Sequence, residues 1–224
     1  MVQEISVKIP TDWAGISLKT YLDLQAELKN YEEDEEAMTA IMLWKVCNIP
    51  ADMIKTIDME SYNDIRNTLG AFISNVELPL KQFVTINGVE YGFEPNLSKM
   101  PYGAYADITK FSTIQIDENW TKIMNILYRP IERKNGGMYT IKPYTGTGDD
   151  TIFNEVGMDV HFGALFFLLN LSTDLLNYTL KYSMEKEANP NIKSILEKSG
   201  ELMQQSLSLP METSKRLMQL LKSH

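Results

Sequence analysis

The sequence has a single cysteine, Cys47, and two histidines, His161 and His224. One cysteine excludes an internal disulfide framework and a thiolate-rich zinc site, and it fits a reducing compartment. With His161 the only internal histidine, a catalytic triad, a metal trio or imidazole acid–base chemistry must centre on it or dispense with histidine. Long apolar runs are also missing. The most apolar stretch, Val160 to Thr173, contains His161 and Asn170 and falls short of the roughly 18 uncharged residues a membrane span needs, which predicts a buried helix and no membrane partner. Basic charge is scarce: 21 Lys and Arg stand against 30 Asp and Glu, a net charge of −9. A nucleic-acid partner is therefore not expected, because the field repels phosphate. The N-terminus lacks the basic start and apolar run of a signal peptide, which predicts a chain that is not exported.

What is present is the composition of an ordinary folded protein, with 44% hydrophobic and 23% charged residues. A chain of 224 residues buries enough surface to fold without a cofactor, and none is expected. The acid is uneven: 14 basic against 25 acidic residues up to Leu180, a balance of −11, and 7 against 5 beyond it, or +2.

The pattern predicts an α+β fold, mostly helical, with an N-terminal strand, a central β-hairpin and amphipathic C-terminal helices. Ile5, Val7 and Ile9 alternate with Ser6 and Lys8 up to Pro10, the period of a half-buried strand. Ser17 can cap a helix with Leu18, Tyr21, Leu22 and Leu28 on one side. The acidic run Glu32–Glu36 suits the positive end of a helix dipole, and Met38, Ile41, Met42 and Trp44 follow it in a central helix that Asn48-Ile-Pro50 stops. Asp58 can cap another helix, burying Tyr62, Ile65, Leu69, Phe72 and Ile73. Asn87-Gly88 between two strand-like runs is a strong hairpin signal. Asp117 can cap a helix with Trp120, Ile123, Met124 and Leu127; Asn135-Gly-Gly137 marks a second turn and Met138 to Ile141 a strand. After the polar loop Gly146–Asp150 comes an apolar helix from about Met158 to Met184, broken at Asn189-Pro190. Two further helices follow, one with Ile192, Ile195 and Leu196, the other with Leu217, Met218 and Leu221.

These readings divide the chain into a core at 1–188, helical over about 11–75 and hairpin-containing over about 76–188, and a helical appendage at 189–224. The appendage can pack on a partner as easily as on its own domain, and its removal is predicted to leave a folded core. There is no internal repeat.

No constellation of catalytic residues stands out. His161 lies among Phe162, Phe166 and Phe167, which predicts a buried, hydrogen-bonded side chain. Cys47 sits in an apolar helix without a neighbouring base. The Gly146–Asp150 loop lacks both the Lys-Ser/Thr ending of a phosphate loop and the ligand spacing of a calcium loop. Arg129, Arg133 and Lys134 form the only dense basic spot of the core, with Glu132 among them. No catalytic, cofactor-binding or metal-binding residue is therefore assigned. The 13 methionines are the remaining signal: they fill irregular gaps in cores, and they are overused on surfaces that accept varied apolar partners. Apolar helical faces make Met38, Met42, Trp44, Leu202, Met203, Leu217, Met218 and Leu221 the candidate partner-binding residues.

One order of motifs matches a known group. Ile16-Ser-Leu-Lys-Thr-Tyr-Leu22, then Ala40-Ile-Met-Leu-Trp-Lys-Val-Cys-Asn-Ile-Pro50, then Ile54-Lys-Thr-Ile-Asp58 and Tyr62-Asn-Asp-Ile65 resembles the tail assembly chaperones of tailed bacteriophages. Tyr91–Leu97, Tyr102–Asp107, Met124–Ile131 and Tyr139–Gly146 are similar to uncharacterised proteins of phages that infect gut and marine bacteria. The resemblance spans roughly residues 1–180. It implies a non-enzymatic protein in the host bacterial cytoplasm that covers apolar helices of the tape-measure protein until tail-tube subunits replace it, with homo-oligomers possible. The alternative is a structural virion protein, a capsid, neck or portal-associated subunit retained in the particle.

Overall fold

A computed structural model describes residues 7–31, 34–108, 110, 114–146, 148–185 and 210–221. The fold is α+β. The described residues divide into two units, one within Met1–Val76, Glu155–Asp159 and Met211–His224, the other within Glu77–Asn154 and Val160–Pro210.

The first unit is helical. Helix α1 (Leu18–Leu28) starts at Ser17, whose hydroxyl accepts the Thr20 N–H, and buries Leu18, Tyr21, Leu24 and Leu28; Leu22 is half-buried. Helix α2 (Glu35–Cys47) is capped by the Asp34 carboxylate, with Glu35 and Glu36 in its first turn, where negative charge suits the helix dipole. It ends at Asn48, which adopts a left-handed backbone (φ 56°) ahead of Pro50. The short α3 (Ala51–Ile54) leads to α4 (Met59–Ile73), capped by Asp58 through the Ser61 N–H. Trp13 ties the unit together: its ring meets Tyr21 and Phe72 edge-on, with centroids 6.2 and 5.4 Å away, and its indole N–H donates to the Asn75 carbonyl at 2.8 Å.

Two sequence-distant pieces complete this unit. Residues 155–159 return to pair Gly157 with Ser17, and the Leu18 and Met158 N–H groups donate to the carbonyls of Val156 and Ile16. A side chain at Gly157 would sit 2.7 Å from the Ala14 carbonyl oxygen, so only glycine permits this approach. The last piece is a helix over 210–220, here α8. Its Leu217, Leu220 and Leu221 are buried, its Ser214 hydroxyl donates to the Ile73 carbonyl, and Thr213 accepts from the Gln25 amide at 3.2 Å. This corrects the expected appendage at 189–224 for residues 211–221, which form core with the N-terminal helices.

The second unit is built on a four-stranded antiparallel meander in the order β1 (Phe83–Ile86), β2 (Val89–Phe93), β3 (Tyr128–Asn135), β4 (Met138–Ile141). Asn87 and Gly88 both have positive φ (50° and 77°), the type I′ geometry that closes a two-residue hairpin. Gly136 and Gly137 (φ 54° and 89°) close the β3–β4 turn likewise. Helix α5 (Tyr102–Ile108) precedes α6 (Trp120–Leu127), and the long α7 (Met158–Glu185) starts in the first unit and continues in the second. Phe93 is the hub of the sheet's core side, in edge contact with Tyr128 (5.2 Å) and with Phe167 of α7 (5.4 Å).

Several sequence expectations change. Residues 7–10 form no strand, and the remainder of the expected N-terminal strand lies outside the described residues, as do the Asn189-Pro190 break and the helix with Ile192, Ile195 and Leu196. Asp117 does not cap α6; its carboxylate accepts the Asn119 N–H in the turn before it. The helix ends at Leu127 and Tyr128 at once begins β3, because Tyr91, Gly92 and Phe93 supply a paired edge for it. The hairpin is thus half of a larger sheet.

Candidate interaction site

Burial redistributes the eight candidate contact residues. Met38, Met42, Leu217 and Leu221 are at most 3% exposed. Packing inside the first unit removes them from the solvent-facing surface, which corrects their assignment as contacts. Met218 is half-buried beside Gly70. Leu202 and Met203 lie outside the described residues. Of the six described candidates Trp44 alone is exposed, at 43%, with the Lys45 ammonium 4.3 Å from its ring centroid, a cation–π contact.

The groups with potential chemistry are engaged in structure. His161 is fully buried; its Nδ1 accepts the Trp120 indole N–H at 3.0 Å, so its Nε2–H is the donor to the Phe153 carbonyl at 3.1 Å. Because an indole N–H only donates, this arrangement fixes the neutral Nε2–H tautomer. Burial pushes the Cys47 thiol up to about 11, the opposite of what a nucleophile needs. In the polar loop, Asp150 accepts from the Thr121 hydroxyl at 2.8 Å and Asp149 accepts from Thr151. Among the described residues no cluster of three His, Cys, Asp or Glu side chains is placed to hold a metal ion.

The basic spot is also taken up. Arg129 and Glu94 form a buried ion pair, and a second guanidinium nitrogen donates to the Lys142 carbonyl, leaving Nε without a partner. Burial holds the Arg129 guanidinium below its ordinary range, against the nearby Glu94 charge. Lys134 reaches Glu90 at 2.7 Å and lies over the Phe83 ring. Of the three cations Arg129 is buried, whereas Arg133 and Lys134 are exposed, Lys134 beside Glu90. Around the pair, Tyr139 donates to the Phe93 carbonyl and Tyr144 to the Asp107 carboxylate, both at 2.6 Å. Burial and that acceptor push the Tyr144 phenol up to about 12, while Lys110, and then Tyr144, lower Asp107. Phenols raised this far keep their protons at neutral pH and act as fixed donors. The cluster locks the sheet to α5.

The outward-facing apolar groups are different residues from those expected. In the first unit Met59 and Tyr31 accompany Trp44. In the second, Tyr102 (82% exposed) and Tyr105 (58%) stand one turn apart on α5, Met138 opens β4, and Leu175 and Tyr178 stand one turn apart on α7. The Tyr102–Tyr105 spacing was visible in the sequence, but a seven-residue helix directly after Pro101 gave no periodic signal. Comparison with known proteins found no family model, curated protein or solved structure that matches this chain. Among the described residues no helix is long and apolar enough to cross a membrane.

Proposed function

We propose that this chain is a non-enzymatic morphogenesis protein of a tailed bacteriophage, a tail assembly chaperone that covers apolar helices of the tape-measure protein in the host cytoplasm. The motif order from Ile16 to Ile65 supports the phage reading. The observation that carries the binding reading is the Tyr102–Tyr105 pair, two large amphipathic side chains displayed together on an acidic protein. Tyrosine contributes broad apolar contact and a hydrogen bond at little conformational cost, which is why interfaces favour it. The net charge of −9 steers the chain toward basic partners and keeps its complexes dispersed. Modest affinity at each of many sites along a long helical client permits later displacement by tube subunits.

The test is capture of the tagged chain from infected cells, together with mass spectrometry of purified particles. The expected result is recovery of the tape-measure protein with the chain, loss of that recovery in Tyr102→Ala/Tyr105→Ala, and absence of the chain from finished particles. A fixed copy number in the particle would replace the chaperone by a structural virion subunit. Recovery of no tail component would remove both.

A further inference from the structure

Helix α7 changes character along its length. From Met158 to Leu169 every described side chain except Phe167 is buried, whereas from Asn170 onward none of the described side chains is. Yet its apolar spacing does not stop there. Leu168, Leu171, Leu175 and Tyr178 recur at intervals of three, four and three, the spacing of a coiled-coil seam. Leu168 is 7% exposed and belongs to the core; Leu171 is half-buried; Leu175 and Tyr178 reach 59% and 72%. A seam thus runs out of the second unit's core into solvent, flanked on one side by the exposed Asp174 and Lys181.

We infer that this seam is a self-association surface, occupied by α7 of a second copy of the chain in antiparallel orientation. The charges choose the occupant and its direction. In an antiparallel pair with Leu175 opposite the partner's Tyr178, the two-fold axis passes between positions 176 and 177. Asp174 then lies across the seam from the partner's Lys181, and the symmetry repeats the ion pair. In a parallel pair in register Asp174 and the partner's Lys181 lie seven residues, about 10 Å, apart along the axis, and no ion pair forms between them. The surface is self-complementary only when reversed on itself. A seam of about three turns is smaller than the ~1,200–2,000 Å² of stable dimers, so the association is concentration-dependent and weakened by salt. It stands independently of the phage reading.

Sedimentation velocity of the full chain over roughly 5–500 μM at low salt, the range where weak association is read, tests it. The wild type is expected to move from 25.6 kDa toward twice that mass. Asp174→Lys and Lys181→Asp each place like charges across the seam and should weaken association roughly tenfold or more. An equimolar mixture of the two variants restores opposite charges and should recover it, as should the double swap in one chain. The mixture keeps the test decisive if a single substitution disturbs folding, since only cross-pairing restores the dimer. A wild type that stays monomeric throughout overturns the inference. So does a dimer indifferent to either reversal, or a mixture no tighter than its components.

Discussion

Replacing Leu217 or Leu221 by alanine decides whether the C-terminal helix is core or a partner-binding arm. Both side chains are 2–3% exposed and sit on α8, whose Ser214 hydroxyl bonds the Ile73 carbonyl at the end of α4. Truncating a leucine so enclosed removes about three carbons' worth of burial and leaves a cavity, a cost of about 2–5 kcal/mol. In a domain of ordinary size each kcal/mol moves the melting midpoint by about 4–8 °C. Each substitution should therefore lower the first unit's midpoint by about 8 °C or more, and deleting residues 211–224 should unfold that unit, since domains hold only about 5–15 kcal/mol in total. Thermal and urea unfolding followed by circular dichroism, with hydrogen exchange resolving Trp13 and α4 from the sheet, measures this. If Leu217→Ala and Leu221→Ala both stay within about 0.5 kcal/mol of wild type, as surface substitutions do, the reasoning fails and the helix is an arm after all.

Removing Glu94 alone, as Glu94→Ala, strands the buried Arg129 charge and should cost about 3–5 kcal/mol, whereas Glu94→Leu with Arg129→Met should be near neutral in the same urea titration. His161→Phe leaves the Trp120 N–H and the Phe153 carbonyl without their bonds, at about 1–3 kcal/mol each, while His161→Gln should be milder; denaturant midpoints separate the two. The Cys47 thiol, raised from 9.0 to about 11 by burial, remains neutral in the folded chain while the unfolded chain already ionises. Its contribution is therefore fully present below pH 9 and lost as pH rises toward 11, and a thiol reagent should label Cys47 at neutral pH only after unfolding. A melting midpoint in Cys47→Ala as sensitive to pH 9–11 as the wild type's would contradict that assignment.

The elements legible in the sequence are those whose determinants are local. Ser17, Asp34 and Asp58 cap because a side-chain oxygen reaches an N–H three residues on, and Asn87-Gly88 turns because two adjacent residues tolerate positive φ. His161 was readable as a buried, hydrogen-bonded group from its phenylalanine neighbours, although its partners Trp120 and Phe153 were not. The candidate contacts were the least legible. An amphipathic face announces that a helix has something to cover, but Met38 and Met42 cover their own unit whereas Tyr102 and Tyr105 do not, and the spacing is silent on which is which.

The sequence by itself determined the class of the fold, the starts of α1, α2 and α4, both glycine turns and the absence of a disulfide or histidine-rich chemistry, since each depends on residue type or on neighbours within about four positions. Only the tertiary structure decided that β3 exists, because a strand containing Pro130 needs the edge of Phe93 and Gly92 to hold it. It also decided that Glu94 finds Arg129, and that the last helix joins the first ones. Those outcomes turn on contacts between residues tens to hundreds of positions apart, where chain entropy is overcome by burial shared among many side chains rather than by any local preference.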